Sequence, residues 1–374
     1  MNYIPVSRPF ISREDKAAVM SALENTWISG ETPITLALEK KISQVVGVEY
    51  SVAISSGTAA LDLAVDALDI SKGDECIVPS FTIVSTISQL LRRGAKIFLV
   101  DSNPDDWSIE PEGIKQYLRS STKVVLPVHI YGLAANLSKI KEISAEFGTF
   151  ILEDAAEALG VLHHGQSCGS LGNASILSFY ANKIVTGGEG GAFCTNDYEL
   201  AQKVKSLRNL NFLPGQRFVS GDLGYNSRLG GLSAALINSQ LNRLDGLIDR
   251  KISLAKRYME NLFGHPWLDF APETHNGTKN TYWVFPILLN NNCPFGAAEM
   301  QHLLESKRIQ TRRFFCPMHL QPLTNKFDIN FEGTLPVATR LWERGIYLPS
   351  GLGITESEID TVSEILWGLT NESL

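Results

Sequence analysis

One lysine, Lys183, stands between an aromatic, strand-like run and a glycine-rich turn in "SFYANKIVTGGEGG" (residues 178–191). A lysine after a buried strand and beside flexible glycines suits a Schiff base with a carbonyl cofactor. The plain alternative is a lysine that only solvates a surface. Ser178, five residues earlier, can donate to a phosphate. The glycines from Gly187 to Gly191 would let backbone pass close to a bound group. A dinucleotide-binding fingerprint is a poor rival, because "GGEGG" does not lie between a strand and a long helix.

Two further turns carry unusual residues. In "SSGTAAL" (55–61) a glycine and a threonine open a helix. Free N–H groups at Gly57 and Thr58, at the positive end of the helix dipole, would take a phosphate, with the Thr58 hydroxyl as a further donor. Ser56 or Thr58 acting only as a helix cap is the competing reading. In "FILEDAAEALG" (150–160) Asp154 closes a strand that reads as fully buried. A carboxylate there is costly unless paired, and a protonated ring nitrogen of a pyridine cofactor is one partner that would justify it. An N-cap or a structural ion pair is the other. Glu157, three residues on, would share a face of that turn.

The elements that position these turns follow one rule. "SVAI", "DECIVPS", "AKIFLVD", "TKVVLPVH" and "TFILEDA" are short, apolar, β-branched runs suited to strands buried on both faces. Between them lie helical stretches such as "TIVSTISQLLRRG", "IEPEGIKQYLRS" and "LSKIKEISAEFG". Alternating β and α elements predict an α/β fold with a mostly parallel central sheet covered by helices. Such sheets bind ligands at the carboxyl ends of their strands, where all three turns lie. Near residue 230 the pattern changes to a long helical stretch with a break near Gly246. We expect residues 1–245 to form a large α/β cofactor-binding domain with an N-terminal arm, and residues 246–374 a smaller C-terminal α+β domain.

Composition excludes other classes. The 374 residues hold 33 Lys and Arg against 40 Asp and Glu, a net charge of −7, with no basic run. Neither a nucleic-acid footprint nor a polybasic membrane patch follows from that balance. The five cysteines are odd in number and contain no CxxC pair, which predicts a reducing cytoplasm and neither a disulfide framework nor a zinc site. The opening "MNYIPVSRPFISRED" has no apolar signal core, and no apolar run approaches ~20 residues. His163 and His164 fall at the tip of a hairpin in "GVLHHGQSCG"; adjacent strand residues point opposite ways, so no metal site is expected.

A phosphate-binding helix start, a strand-end aspartate and a later lysine together describe the corners of pyridoxal 5′-phosphate. "SSGTAAL", "ILEDAAEALG", "SFYANKIVTGGEGG" and "LGYNSRLGGLSAALINSQL" resemble, in order and spacing, the DegT/DnrJ/EryC1/StrS family of sugar aminotransferases over nearly the whole chain. The resemblance implies a fold-type-I, aspartate-aminotransferase-like architecture working as a homodimer with shared active sites. It implies Lys183 as the Schiff-base lysine and Asp154 as the partner of the pyridine nitrogen, with Glu157 close to the ring. Gly57, Thr58 and Ser178 match its phosphate positions, and Asn226 of "GYNSR" matches an asparagine that reaches the phosphate from the neighbouring subunit. One position departs from the pattern: in "PSFTIVST" Ile83 stands where relatives stack an aromatic ring on the cofactor, which is worth about 0.5–1.5 kcal/mol beyond burial.

The resemblance also implies L-glutamate as amino donor and a keto sugar as acceptor, in ping-pong order. "IQTRRFFCPMH" resembles a "TRPFFYPMH"-type stretch of GDP-perosamine synthases, with Arg313 in place of the usual proline and Cys316 in place of the usual tyrosine. That favours a nucleotide-linked 4-keto-6-deoxy sugar, for a surface polysaccharide or lipopolysaccharide. The departures at Ile83 and Arg313 leave room for another keto sugar, such as an oxidised eight-carbon sugar acid. His319 would lie near the sugar, unless it is a hydrogen-bonded structural histidine. Trp27 in "TWISG" would line the sugar pocket or serve as an apolar anchor. Family dehydratases replace the lysine with histidine, and a silent regulator would tolerate its loss; this chain keeps both Lys183 and Asp154.

Overall fold

The computed structural model describes residues 2–372. The apolar runs form β1 (Tyr50–Ile54), β2 (Glu75–Pro79), β3 (Lys96–Val100), β4 (Thr122–Val125) and β5 (Phe150–Asp154). A hairpin of β6 (Leu162–His163) and β7 (Gln166–Ser167) precedes β8 (Ala174–Ser178) and β9 (Gly191–Thr195). The second half contributes β10 (Leu268–Phe270), β11 (Thr274–His275), β12 (Thr278–Lys279), β13 (Phe285–Leu289), β14 (Arg312–Arg313), β15 (Ile329–Asn330) and β16 (Gly345–Leu348).

The main sheet has eight strands in the order β1-β9-β8-β5-β4-β2-β3-β15. Its successive pairs from β8 to β15 are parallel, and only β9 opposes its neighbours β1 and β8. Ile77, Leu99, Val125 and Leu152 are fully buried within it, as runs buried on both faces should be. The stripe Ala60, Leu61, Ala64 and Val65 of the helix Gly57–Ala67 is buried against it. The carboxyl ends of β1, β2, β5 and β8 therefore open onto one edge.

A second, antiparallel sheet runs β10-β13-β16-β14. It packs with the helices Leu244–Asn261, Ala297–Ser306 and Glu356–Glu372 around Tyr258, Phe285, Met300, Ile346 and Ile359. The two regions are interlocked. β15 returns to complete the main sheet beside β3, and Phe314, Met318 and Leu341 join the larger core. The N-terminal arm binds the second region through Ile4, which brackets Ile309, and through Arg8, whose guanidinium lies 2.9 Å from Glu358.

Two local expectations shift. The helix break falls at Asn242–Arg243, and Gly246 lies inside the helix Leu244–Asn261. The turn forms where Arg243 reaches back to Asp15 of the first helix at 2.7 Å, a tertiary contact that outweighs the weak helix propensity of glycine. The helix expected from Thr82 begins only at Ser85, which leaves Thr82–Val84 as a loop. Among the described residues no helix is long and apolar enough to cross a membrane.

Candidate active site

The helix Gly57–Ala67 starts immediately after β1. Ser56 caps it, accepting from the Ala59 N–H at 3.1 Å. The cap and an anion site coexist: among the described residues no acceptor faces the N–H groups of Gly57 or Thr58. Ser178, the last residue of β8, packs against the same helix start, and a Cβ at position 57 would lie 3.0 Å from Ser178 Cβ. Glycine at 57 is what lets the hydroxyl approach these amides. The later glycines do two different jobs. Gly190 lines the cleft, whereas a Cβ at Gly191 would meet the Ser56 carbonyl carbon at 2.4 Å. At Gly191 the clearance is for the protein's own backbone, not for a bound group.

Asp154 ends β5 and is 3% exposed. Its Oδ2 accepts from Thr86 Oγ1 at 2.9 Å and its Oδ1 from the Ala156 N–H at 3.2 Å. Burial pushes its carboxyl up, opposed by those two hydrogen bonds and by Lys183. Glu157 accepts from the Tyr131 N–H at 3.0 Å, and burial pushes its carboxyl up to about 7. Lys183 Nζ lies 3.9 Å from Glu157 Oε1 and 3.6 Å above the centre of the Trp283 ring. Burial pushes the lysine down, toward its neutral, nucleophilic form. Trp283 is fixed by its own Nε1, which donates to the Asn182 carbonyl at 3.0 Å.

These residues line one cleft of about 480 Å³, within the range of small-molecule sites. Gly57, Thr58, Ile83, Asp154, Glu157, Ser178 and Lys183 all border it. The donors and the amine match the expected cofactor group by group: unpartnered amides and a hydroxyl for a phosphate, a carboxylate for a ring nitrogen, a depressed lysine for an aldehyde. Ile83 is 48% exposed at the cleft wall, where it can cover a bound ring with an aliphatic face.

Three expected residues lie elsewhere. Asn226 is exposed, accepts from Arg228 at 2.7 Å and does not border the cleft of its own chain. Trp27 is half-buried and does not border the cleft; its carbonyl lies against Gly231 at the start of the helix Gly231–Leu241. His319 does not reach the cleft: Nδ1 bonds Ser80 Oγ at 2.7 Å and Nε2 bonds Thr339 Oγ1 at 3.0 Å. With both ring nitrogens engaged it ties the end of β2 to the helix Pro336–Arg344, and burial pushes its pKa down.

Sequence reasoning passed over Thr86, Trp283, Arg312 and Tyr347. Arg312 and Tyr347 are cross-strand neighbours on β14 and β16, and both border the cleft. Only Arg312 had a signal, its place in the "TRRFF" stretch.

The model of the DegT/DnrJ/EryC1/StrS aminotransferase family matches residues 9–367. The chain is 32% identical over 368 residues to GDP-perosamine synthase of Escherichia coli O157:H7, covering 97% of this chain and 98% of that one. It is 31% identical over 375 residues to the spore coat polysaccharide biosynthesis protein SpsC of Bacillus subtilis (strain 168), covering 97% and 96%. Among solved structures it superposes on the aminotransferase TlmJ from Streptoalloteichus hindustanus with a TM-score of 0.91 at 28% identity, covering 99% of this chain and 100% of the other.

Proposed function

The chain belongs to the DegT/DnrJ/EryC1/StrS aminotransferase family, and from that premise we propose that it moves an amino group from L-glutamate to a keto sugar. It is a sugar aminotransferase dependent on pyridoxal 5′-phosphate. The favoured acceptor is a nucleotide-linked 4-keto-6-deoxy sugar, in the making of a surface polysaccharide or lipopolysaccharide. The likeness to a GDP-perosamine synthase and to a spore coat polysaccharide protein supports that choice. The chain would work in the cytoplasm as a homodimer, with Asn226 serving the partner's site. We also propose the two-domain division near residue 245, set by the two sheets.

The observation that carries the reading is the convergence of Lys183, Asp154 and the free amides of Gly57 and Thr58 on one cleft. When bound, the cofactor supplies an electrophilic aldehyde carbon and a ring that accepts electron density. The amides of Gly57 and Thr58, with Ser178, would hold the phosphate at the helix start. Asp154, whose anion the Thr86 and Ala156 hydrogen bonds and Lys183 favour against burial, would hold a proton on the ring nitrogen. Lys183, kept toward neutrality by burial, offers Nζ first as the attaching nucleophile and then as the base that carries a proton. Glu157 Oε1 faces that nitrogen and balances its charge when it is protonated. Trp283 walls one side of the cleft beneath the Lys183 amine.

Added pyridoxal 5′-phosphate should produce a visible absorption band that borohydride fixes to the chain. Lys183→Ala should lose the fixed adduct; a wild-type protein that stays colourless overturns the reading. A second acceptor class, an eight-carbon sugar acid, is favoured by one observation: Arg312 borders the cleft and has no carboxylate partner among the described residues. Offering both acceptor types to the pyridoxamine-phosphate form, and watching which restores the band, separates the two.

A further inference from the structure

Asp154 is held by more than its own strand. Thr86, in the first turn of the helix Ser85–Arg92, donates its hydroxyl to Asp154 Oδ2 at 2.9 Å. Thr82 Oγ1 lies 2.8 Å from Thr86 Oγ1. A hydroxyl has one proton, and the carboxylate only accepts, so the direction is fixed: Thr82 donates to Thr86, and Thr86 donates to Asp154. All three residues are buried, Thr82 fully and Thr86 to within 1%. Two hydroxyls in line polarise each other, and a donor on a buried carboxylate strengthens its anionic form.

The nearest charged alternatives do not replace this contact. Lys183 acts on Asp154 through space and not through a hydrogen bond. His129, whose Nδ1 accepts from the Ala135 N–H, gives its Nε2 proton to Glu153 at 2.9 Å. Glu153 also collects the N–H groups of Gly169, Leu171 and Gly172, so that histidine is committed to a separate network. The only side chain that donates to Asp154 among the described residues is Thr86.

We propose that Thr86, oriented by Thr82, is a positioning residue that sets how strongly Asp154 holds the cofactor's ring-nitrogen proton. The inference rests on the cofactor reading above. With the hydroxyl in place, Asp154 is the weaker base and the proton stays on the ring. Without it, the proton moves toward Asp154 and the ring accepts electron density less well. A threonine that merely packed the helix against β5 would not move that proton.

The test loads wild type, Thr86→Val and Thr86→Ser with ¹⁵N-labelled pyridoxal 5′-phosphate. Thr86→Val should shift the ring-nitrogen resonance toward the unprotonated value and slow the half-reaction with L-glutamate by about tenfold to a hundredfold. Thr86→Ser, which keeps the hydroxyl, should restore both. Should Thr86→Val fail to fold, Thr86→Cys, with its weaker donor, should give an intermediate resonance. A folded Thr86→Val or Thr86→Cys protein whose resonance equals that of wild type overturns the inference alone. A wild-type protein that forms no borohydride-fixed adduct overturns the cofactor reading and this inference together.

Discussion

At the scale of single residues, the site is defined by which polar groups are left without partners. Among the described residues the amides of Gly57 and Thr58 meet no acceptor, whereas His319 has both ring nitrogens occupied. The outcome for His319→Ala follows from that contrast. The variant should lose about 1–3 kcal/mol in chemical denaturation, because the Ser80 hydroxyl loses its ring acceptor and the Thr339 hydroxyl keeps only its bond to the Leu335 carbonyl. Its borohydride-fixed adduct should remain as in wild type. Asp154 and Ser178 were legible because each closes a strand, and Lys183 because it follows β8 by five residues beside a run of glycines; all three border one cleft. His319 was not, because its partner Ser80 lies 239 positions away. Thr86 gave no signal either, since a threonine near a helix start is ordinary until its neighbour is known.

At the scale of elements, the helix Leu244–Asn261 buries a lysine that has no acid beside it among the described residues. Lys251 is 3% exposed, its Nζ donates to the Ser350 carbonyl, and burial pushes its amine down to about 7. In the unfolded chain the same amine keeps its proton to 10.5. Because the folded value is the lower one, this group's contribution to stability is fully present above pH 10.5. It is lost as pH falls toward 7. Lys251→Met should therefore gain most near pH 7, raising Tm by ~2–4 °C, with the advantage shrinking in melts at pH 10. Strands β1, β2, β3 and β5 were legible to within a residue because their apolar runs are bounded by turns. By contrast, β4 stops at Val125 although its run continues to His129, only Ser178 of the strand-like run 178–182 lies in β8, and β9 and β15 were not read at all. The break at Asn242–Arg243 was not legible either: composition pointed to Gly246, and the Arg243–Asp15 contact decided otherwise.

For the whole molecule, the proposed dimer makes a claim that no single chain can test. If Lys183 and Asn226 serve the same site from different subunits, Lys183→Ala and Asn226→Ala chains should complement each other. Unfolding and refolding them together should regain roughly a quarter of wild-type turnover, since half of the dimers are hybrids with one intact site. Mixtures that stay as inactive as the separate variants would place both residues in one chain's site. The interlocking of the two regions has a further effect, on synthesis. β3 has no outer neighbour until Ile329–Asn330 has been made, although the rest of its sheet is complete by Thr195. At about 5–20 residues per second a ribosome leaves that strand edge bare for on the order of ten seconds, long enough to meet another nascent chain.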